Sequence, residues 1–89
     1  MSEAEQPPPV VEYPALYTFR AIGKFDAGLR ERVRLVVQSV VGVVLDDAVS
    51  ERPRGAWRAI HVTCLLQSEE QRVAVYLKLK ADPSIVLTL

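Results

Sequence analysis

The chain has one cysteine, Cys64, and one histidine, His61, among its 89 residues. A single thiol excludes an intramolecular disulfide, and this ligand stock excludes a zinc site of the paired-cysteine type. Asparagine is absent. Net charge is absent too, with 11 Lys and Arg against 11 Asp and Glu. A nucleic-acid binder normally shows a basic excess, because phosphate neutralisation drives its affinity. Long apolar runs are missing: the longest, Val40–Leu45, is interrupted by Gly42, and a bilayer span needs about 20 residues. Met1 to Pro9 is acidic and proline-rich, without a basic n-region or an apolar h-region. No signal peptide is expected, and a cytoplasmic, membrane-free location is.

What is present is ordinary globular material, 49% hydrophobic and 25% charged. The length suits one domain, which at this size buries roughly 60–65% of its unfolded surface and folds with little margin. Residues 1–12, MSEAEQPPPVVE, read as a disordered proline-rich tail, since consecutive prolines favour extended chain and donate nothing to a sheet. Residues 13–89 read as a single domain.

Within it, Tyr17 to Gly23 alternates with period two, with Tyr17, Phe19 and Ala21 on one face and Thr18, Arg20 and Ile22 on the other. Asp26 is a candidate helix cap, followed by Leu29, Val33, Val36, Val37 and Val40 at helical spacing, with Gly42 as the stop. Val43 to Glu51 reads as a second strand and Arg52-Pro53-Arg54-Gly55 as a turn. Ala56 to Gln67 reads as a third strand. It puts Ile60, Val62, Cys64 and Leu66 on one face and Trp57, Ala59, His61, Thr63 and Leu65 on the other. Ser68 and Gln71 form a capping box, with Val73, Tyr76 and Leu77 as the expected buried stripe of a second helix. Ser84 to Leu89 reads as the last strand, with Ile85, Leu87 and Leu89 sharing a face. The order strand-helix-strand-strand-helix-strand predicts an α+β, ferredoxin-like βαββαβ two-layer sandwich. Its four-stranded antiparallel sheet would carry both helices on one face, with the first and third strands central.

Four segments in this order also resemble a known family. They are Tyr13-Pro14-Ala15-Leu16-Tyr17-Thr18-Phe19-Arg20-Ala21-Ile22-Gly23, Arg54-Gly55-Ala56-Trp57, Ser68-Glu69-Glu70-Gln71 through Tyr76, and Ile85-Val86-Leu87-Thr88-Leu89. Together they are similar to the YbeD-like family of small bacterial proteins of unknown function, over about residues 13–89. The chain departs from that pattern at the hairpin, where the family more often has Ser, Lys and Gly followed by Tyr. The resemblance implies a ferredoxin-like fold similar to the ACT-type regulatory domains of amino-acid biosynthetic enzymes. It implies no activity, no cofactor and no catalytic residues.

The residues themselves offer no catalytic set. His61 and Cys64 stand three apart on a strand and so face opposite sides, as do the adjacent Asp46 and Asp47. Acylphosphatases share the topology but require an asparagine beside their arginine cradle. RNA-recognition motifs share it too, and Arg54-Gly55 matches the start of their third strand. Ala56, however, stands where a stacking aromatic is expected.

Three candidate regions remain. The sheet face without helices would carry Thr18, Arg20, Ile22, Trp57, His61, Thr63 and Leu65, together with Ala59, Val86 and Thr88, a half-polar surface suited to contact. Arg52, Arg54 and Arg58 would gather at the hairpin as an anion or partner site. Gly23, Lys24 and Asp26 form a strand-to-helix loop that in ACT-like domains contributes to a small-molecule site. The expected function is a non-enzymatic regulatory or protein-interaction module that contacts a protein partner or itself. The alternative is an ACT-like sensor of an amino acid or carboxylate, and RNA binding is remote. No cofactor or metal is expected.

Overall fold

The computed structural model describes residues 12–89. Its elements are β1 (Ala15–Lys24), α1 (Leu29–Val41), a single 3-10 turn (Asp46–Ala48), β2 (Val49–Arg54), β3 (Trp57–Leu66), α2 (Glu69–Lys80) and β4 (Ile85–Thr88). The sheet order is β2-β3-β1-β4, antiparallel throughout, with β1 and β3 central as expected. The expected tail lies outside the described residues except for Glu12.

Alternation builds the core. Phe19 and Ala21 of β1 and Ile60, Val62 and Leu66 of β3 are buried against Leu29, Val33 and Val37 of α1 and Val75 and Leu79 of α2. Each fully buried aliphatic or aromatic side chain contributes about 1.5–3 kcal/mol. That burial offsets the weak helix propensity of the valines in α1. Val36 and Val40 pack against the edge of the same cluster. Gly42 ends α1 with φ +93°, a conformation that only glycine takes without strain.

Four expectations need correction. First, the second strand begins at Val49 and not Val43. Asp46 and Asp47 sit in the 3-10 turn, which Arg30 fastens to α1. Its guanidinium donates to Asp46 Oδ1 at 2.8 Å and to the carbonyls of Asp46 and Val49, both at 3.1 Å. The strand then runs through Pro53 to Arg54, and the turn shrinks to Gly55-Ala56, with Gly55 at φ +64°. Pro53 is tolerated because β2 is an edge strand.

Second, Asp26 does not cap α1. Gly28 is the cap residue, and Asp26 closes the preceding turn by accepting the Gly28 N–H at 2.7 Å. Third, the buried stripe of α2 is Val75 and Leu79, while Val73 and Leu77 are exposed. Ser68 caps the helix through the Gln71 N–H at 3.2 Å, but the returning Gln71 amide oxygen accepts from Gln67 N–H and not from Ser68.

Fourth, β4 contains a register shift. Ala21 pairs with Thr88 and Ile22 with Leu87, yet Gly23 pairs with Ile85. The extra residue, Val86, reverses the alternation. Ile85 therefore faces the core, while Leu87 and Leu89 face away from the helices with Ile22 and Arg20. Thr88, expected on the open face, stands beside Ala21 on the helix side.

Candidate interaction face

Opposite residues of an antiparallel ladder share a face, so the registers define the open surface row by row. Leu16 stands beside Leu65, and Thr18 beside Thr63. The next row is Leu89, Arg20, His61 and Ser50. Then come Leu87, Ile22, Ala59 and Arg52, and finally Lys24, Trp57 and Arg54. Of the ten residues expected on this face, Thr18, Arg20, Ile22, Trp57, Ala59, His61, Thr63 and Leu65 share it, Val86 is the bulge residue, and Thr88 lies on the other side. Thr18 and Thr63 are joined Oγ1 to Oγ1 at 2.9 Å. Ala59 is buried, small between Ile22 and Arg52. Large apolar side chains lie open here, among them Leu16 at 75% exposure and Trp57 at 38%.

Among the described strand residues, charge on this surface has one sign. It carries Arg20, Lys24, Arg52 and Arg54. Glu51, the acid on β2, stands opposite Ile60 and so belongs to the helix side. Asp26, Glu31, Asp46, Asp47, Glu69, Glu70 and Asp82 lie in the helices and connections. The arginines divide the same way. Arg30, Arg32, Arg34, Arg58 and Arg72 each form an ion pair with a carboxylate. Arg20, Arg52 and Arg54 form none among the described residues.

The hairpin arginines are therefore not one cluster. Arg52 and Arg54 stand on the open face. Arg58 stands on the other, 3.6 Å from Glu51 and with its guanidinium 4.2 Å above the Phe25 ring. His61 reports the field on the open side: burial first, then Arg52, Arg20 and Arg54, hold its pKa below the ordinary value. Cys64 faces the core, and burial pushes its thiol up to about 11. A thiol so protonated is a poor nucleophile, and His61 lies on the far side of the sheet from it.

In the third region, Gly23 is buried and Lys24 exposed. The Asp26 carboxylate is engaged by the Gly28 N–H and, at 3.2 Å, by Arg32, and these contacts hold its pKa below the ordinary range. Arg32 also reaches Ser84 at 2.8 Å and Asp82 at 3.5 Å. This loop is thus tied to the start of β4.

One feature escaped sequence reasoning. Because β2 starts late, its ladder stops at Val49 opposite Val62. An open groove of about 340 Å³ occupies the space where the strand was expected, lined by Leu16, Val43, Leu45, Thr63 and Leu65 among others. Leu16, Thr63 and Leu65 belong to both groove and open face, so the two are continuous. The signal available was Asp46-Asp47, a poor pair for a strand interior.

Residues 8–89 match the family model DUF493, described as a protein of unknown function. The chain belongs to this family, the YbeD-like family of the sequence comparison. No curated protein matches it. Among solved structures, protein HP0495 from H. pylori is 15% identical with a TM-score of 0.72, covering 100% of this chain and 93% of that one. The ACT domain from GTP pyrophosphokinase of Chlorobium tepidum is 9% identical. Its solution structure gives a TM-score of 0.67 over 84% of this chain and 83% of that one. Its crystal structure gives 0.66 over 83% and 94%. These likenesses establish an ACT-like, ferredoxin-like fold. Among the described residues, no helix is long and apolar enough to cross a membrane.

Proposed function

We propose that this chain is a non-enzymatic regulatory or protein-interaction module that binds a partner through its open sheet face. The observation that carries the reading is the mixture on that face of exposed Leu65, Leu87, Leu89 and Trp57 with three arginines that form no ion pair among the described residues. Apolar area supplies affinity, and free guanidinium groups supply orientation and encounter rate. RNA is a poorer occupant, because among the described residues Trp57 is the face's one large aromatic and stands at its end. The non-enzymatic reading is supported by the separation of His61 from the protonated Cys64 thiol. The lone thiol also suits the reducing cytoplasm, where we place the protein.

The test is capture of partners from native cell extract with tagged wild-type chain and with Ile22→Asp/Leu65→Asp. Circular dichroism would confirm that the variant folds. A partner held by wild type and lost by the variant supports the reading, and identical capture overturns it.

A second reading, a sensor of an amino acid or small carboxylate at Gly23, Lys24 and Asp26, is favoured by the fold shared with the ACT domain of the Chlorobium tepidum enzyme. Fold likeness is weak warrant for function. Amide shifts titrated with amino acids decide it, and a silent Gly23–Gly28 segment removes it.

A further inference from the structure

The interaction reading leaves the partner's chemistry open, and the charge pattern narrows it. Among the described residues, every arginine on the helix side or in the helices is spent on a carboxylate, and those on the open face are not. Arg20 lies on β1 and Arg52 on β2, two strands apart, with Arg54 one row further along β2. Strands are about 4.8 Å apart and same-face residues along a strand about 7 Å. The three arginines therefore spread from the middle row of the face to its Trp57 end, with backbone separations of about 7–17 Å. At the other end Leu16 and Leu65 open into the apolar groove beside Val43 and Leu45. From Leu65 to Trp57 the face measures eight residue steps along β3, about 27 Å at strand rise.

We propose that the occupant of this face is an acidic polypeptide segment of about eight extended residues, its apolar side chains seated toward the groove and its carboxylates paired with Arg20, Arg52 and Arg54. The inference rests on the interaction reading above and adds the partner's charge. Guanidinium groups match carboxylates in a planar, bidentate fashion that a lysine face would not provide. A second copy docked face to face is disfavoured by the same observation, since guanidinium would meet guanidinium with no acid among the described residues to separate them. The apolar rows Leu87–Ile22 and Leu16–Leu65 favour polypeptide over nucleic acid, which needs aromatic platforms in mid-sheet.

The experiment is selection from a displayed library of random dodecapeptides against the full chain, repeated with Arg20→Gln/Arg52→Gln/Arg54→Gln. The selected peptides are expected to combine Asp or Glu with Leu, Val or Phe. Their affinity should fall roughly tenfold when salt rises from about 0.1 M to about 1 M, as the screening length drops from about 10 to about 3 Å. The triple variant should lose about tenfold, the summed effect of three exposed charge contacts.

Neutral or basic selected peptides, or equal binding by the triple variant, overturn the proposal. So does tighter binding of a mixed-sequence single-stranded RNA than of any selected peptide. The underlying reading is separable in the capture experiment. A partner lost by Ile22→Asp/Leu65→Asp but kept by the triple glutamine variant leaves the interface standing and removes its acid preference. A partner kept by both removes the interface as well.

Discussion

Replacing Gly23 by alanine tests the structural account of the loop between β1 and α1. Gly23 does not need a left-handed backbone; its constraint is space. A Cβ there would lie 2.5 Å from the Ser84 carbonyl oxygen and 3.3 and 3.4 Å from the Leu29 methyl groups. The Leu29 contacts can relax by a few tenths of an ångström, but the carbonyl belongs to the backbone that enters β4. It would have to retreat by roughly 0.8 Å to reach ordinary contact. That retreat pulls on Ile85, the partner of Gly23 in the ladder and a core residue 8% exposed. It also strains the Ser84 bond to Arg32. Overpacking of this kind costs about 1–3 kcal/mol, and alanine's stiffer unfolded chain returns about 0.4–1 kcal/mol. The net loss is about 1–2 kcal/mol, or about 5–15 °C in Tm for a domain of this size.

Urea unfolding followed by circular dichroism measures the loss, and amide shifts locate it. Changes should concentrate at Leu29 and Ile85–Thr88. Gly55→Ala is the comparison, because Gly55 has open space around it and φ +64°. Its cost of about 1 kcal/mol comes from the backbone alone, and its shifts should stay in the hairpin. A Gly23→Ala protein as stable as wild type, or one whose β4 resonances do not move, would refute the close approach of β4 to β1.

Other expectations follow from the same packing and charges. Leu79→Ala should cost about 2–5 kcal/mol in urea unfolding because the side chain is fully buried, whereas Leu77→Lys should stay within about 0.5 kcal/mol. Arg72 first, then the Tyr13 hydroxyl, push the Glu69 carboxyl down to about 2. Its stabilising contribution is complete above the ordinary value of 4.5 and is lost as pH falls from there through 2, so Glu69→Gln should flatten the acid limb of a urea-midpoint profile. His61 has a depressed pKa, so the unfolded chain takes up its proton first. Stability should decline as pH falls through 6.5 and below, and His61→Gln should remove that slope. Arg52→Gln should move the His61 imidazole titration, read by NMR, back toward 6.5.

The central strands were legible because alternation over ten residues leaves one register that buries Phe19, Ala21, Ile60 and Val62 together. What failed depended on contacts distant in sequence or on a single inserted residue. Val43-Val44-Leu45 has strand composition, but Arg30 captures the peptide groups that follow it. In α2 two apolar stripes compete. The expected one, through Val73 and Leu77, runs on past Lys80, whereas Val75 and Leu79 keep both lysines in solvent. The bulge at Val86 is invisible in a run as uniformly apolar as Ile-Val-Leu. The arginines failed through parity. Positions 52, 54 and 58 look alike, but a two-residue turn pairs Arg54 with Trp57, so even positions on β2 share a face with odd positions on β3. That leaves Arg58 behind the sheet with Glu51.

A net charge of zero argues against a nucleic-acid partner, but it does not set the field at a single face, and the reason is distance. The domain is 19 Å across its shortest dimension. The screening length at physiological salt is about 8 Å. Carboxylates held in the helix layer are thus separated from a molecule at the open face by much of the domain's thickness. They are also largely neutralised where they stand, since Arg30, Arg32, Arg34 and Arg72 pair with them. A partner at the proposed face would meet Arg20, Lys24, Arg52 and Arg54 at close range, with no acid between them among the described residues. The same reasoning fixes the sign of the salt effect. Binding through this face must weaken with added salt even though the chain as a whole is neutral, and binding that strengthened with salt would mean that the apolar rows act alone.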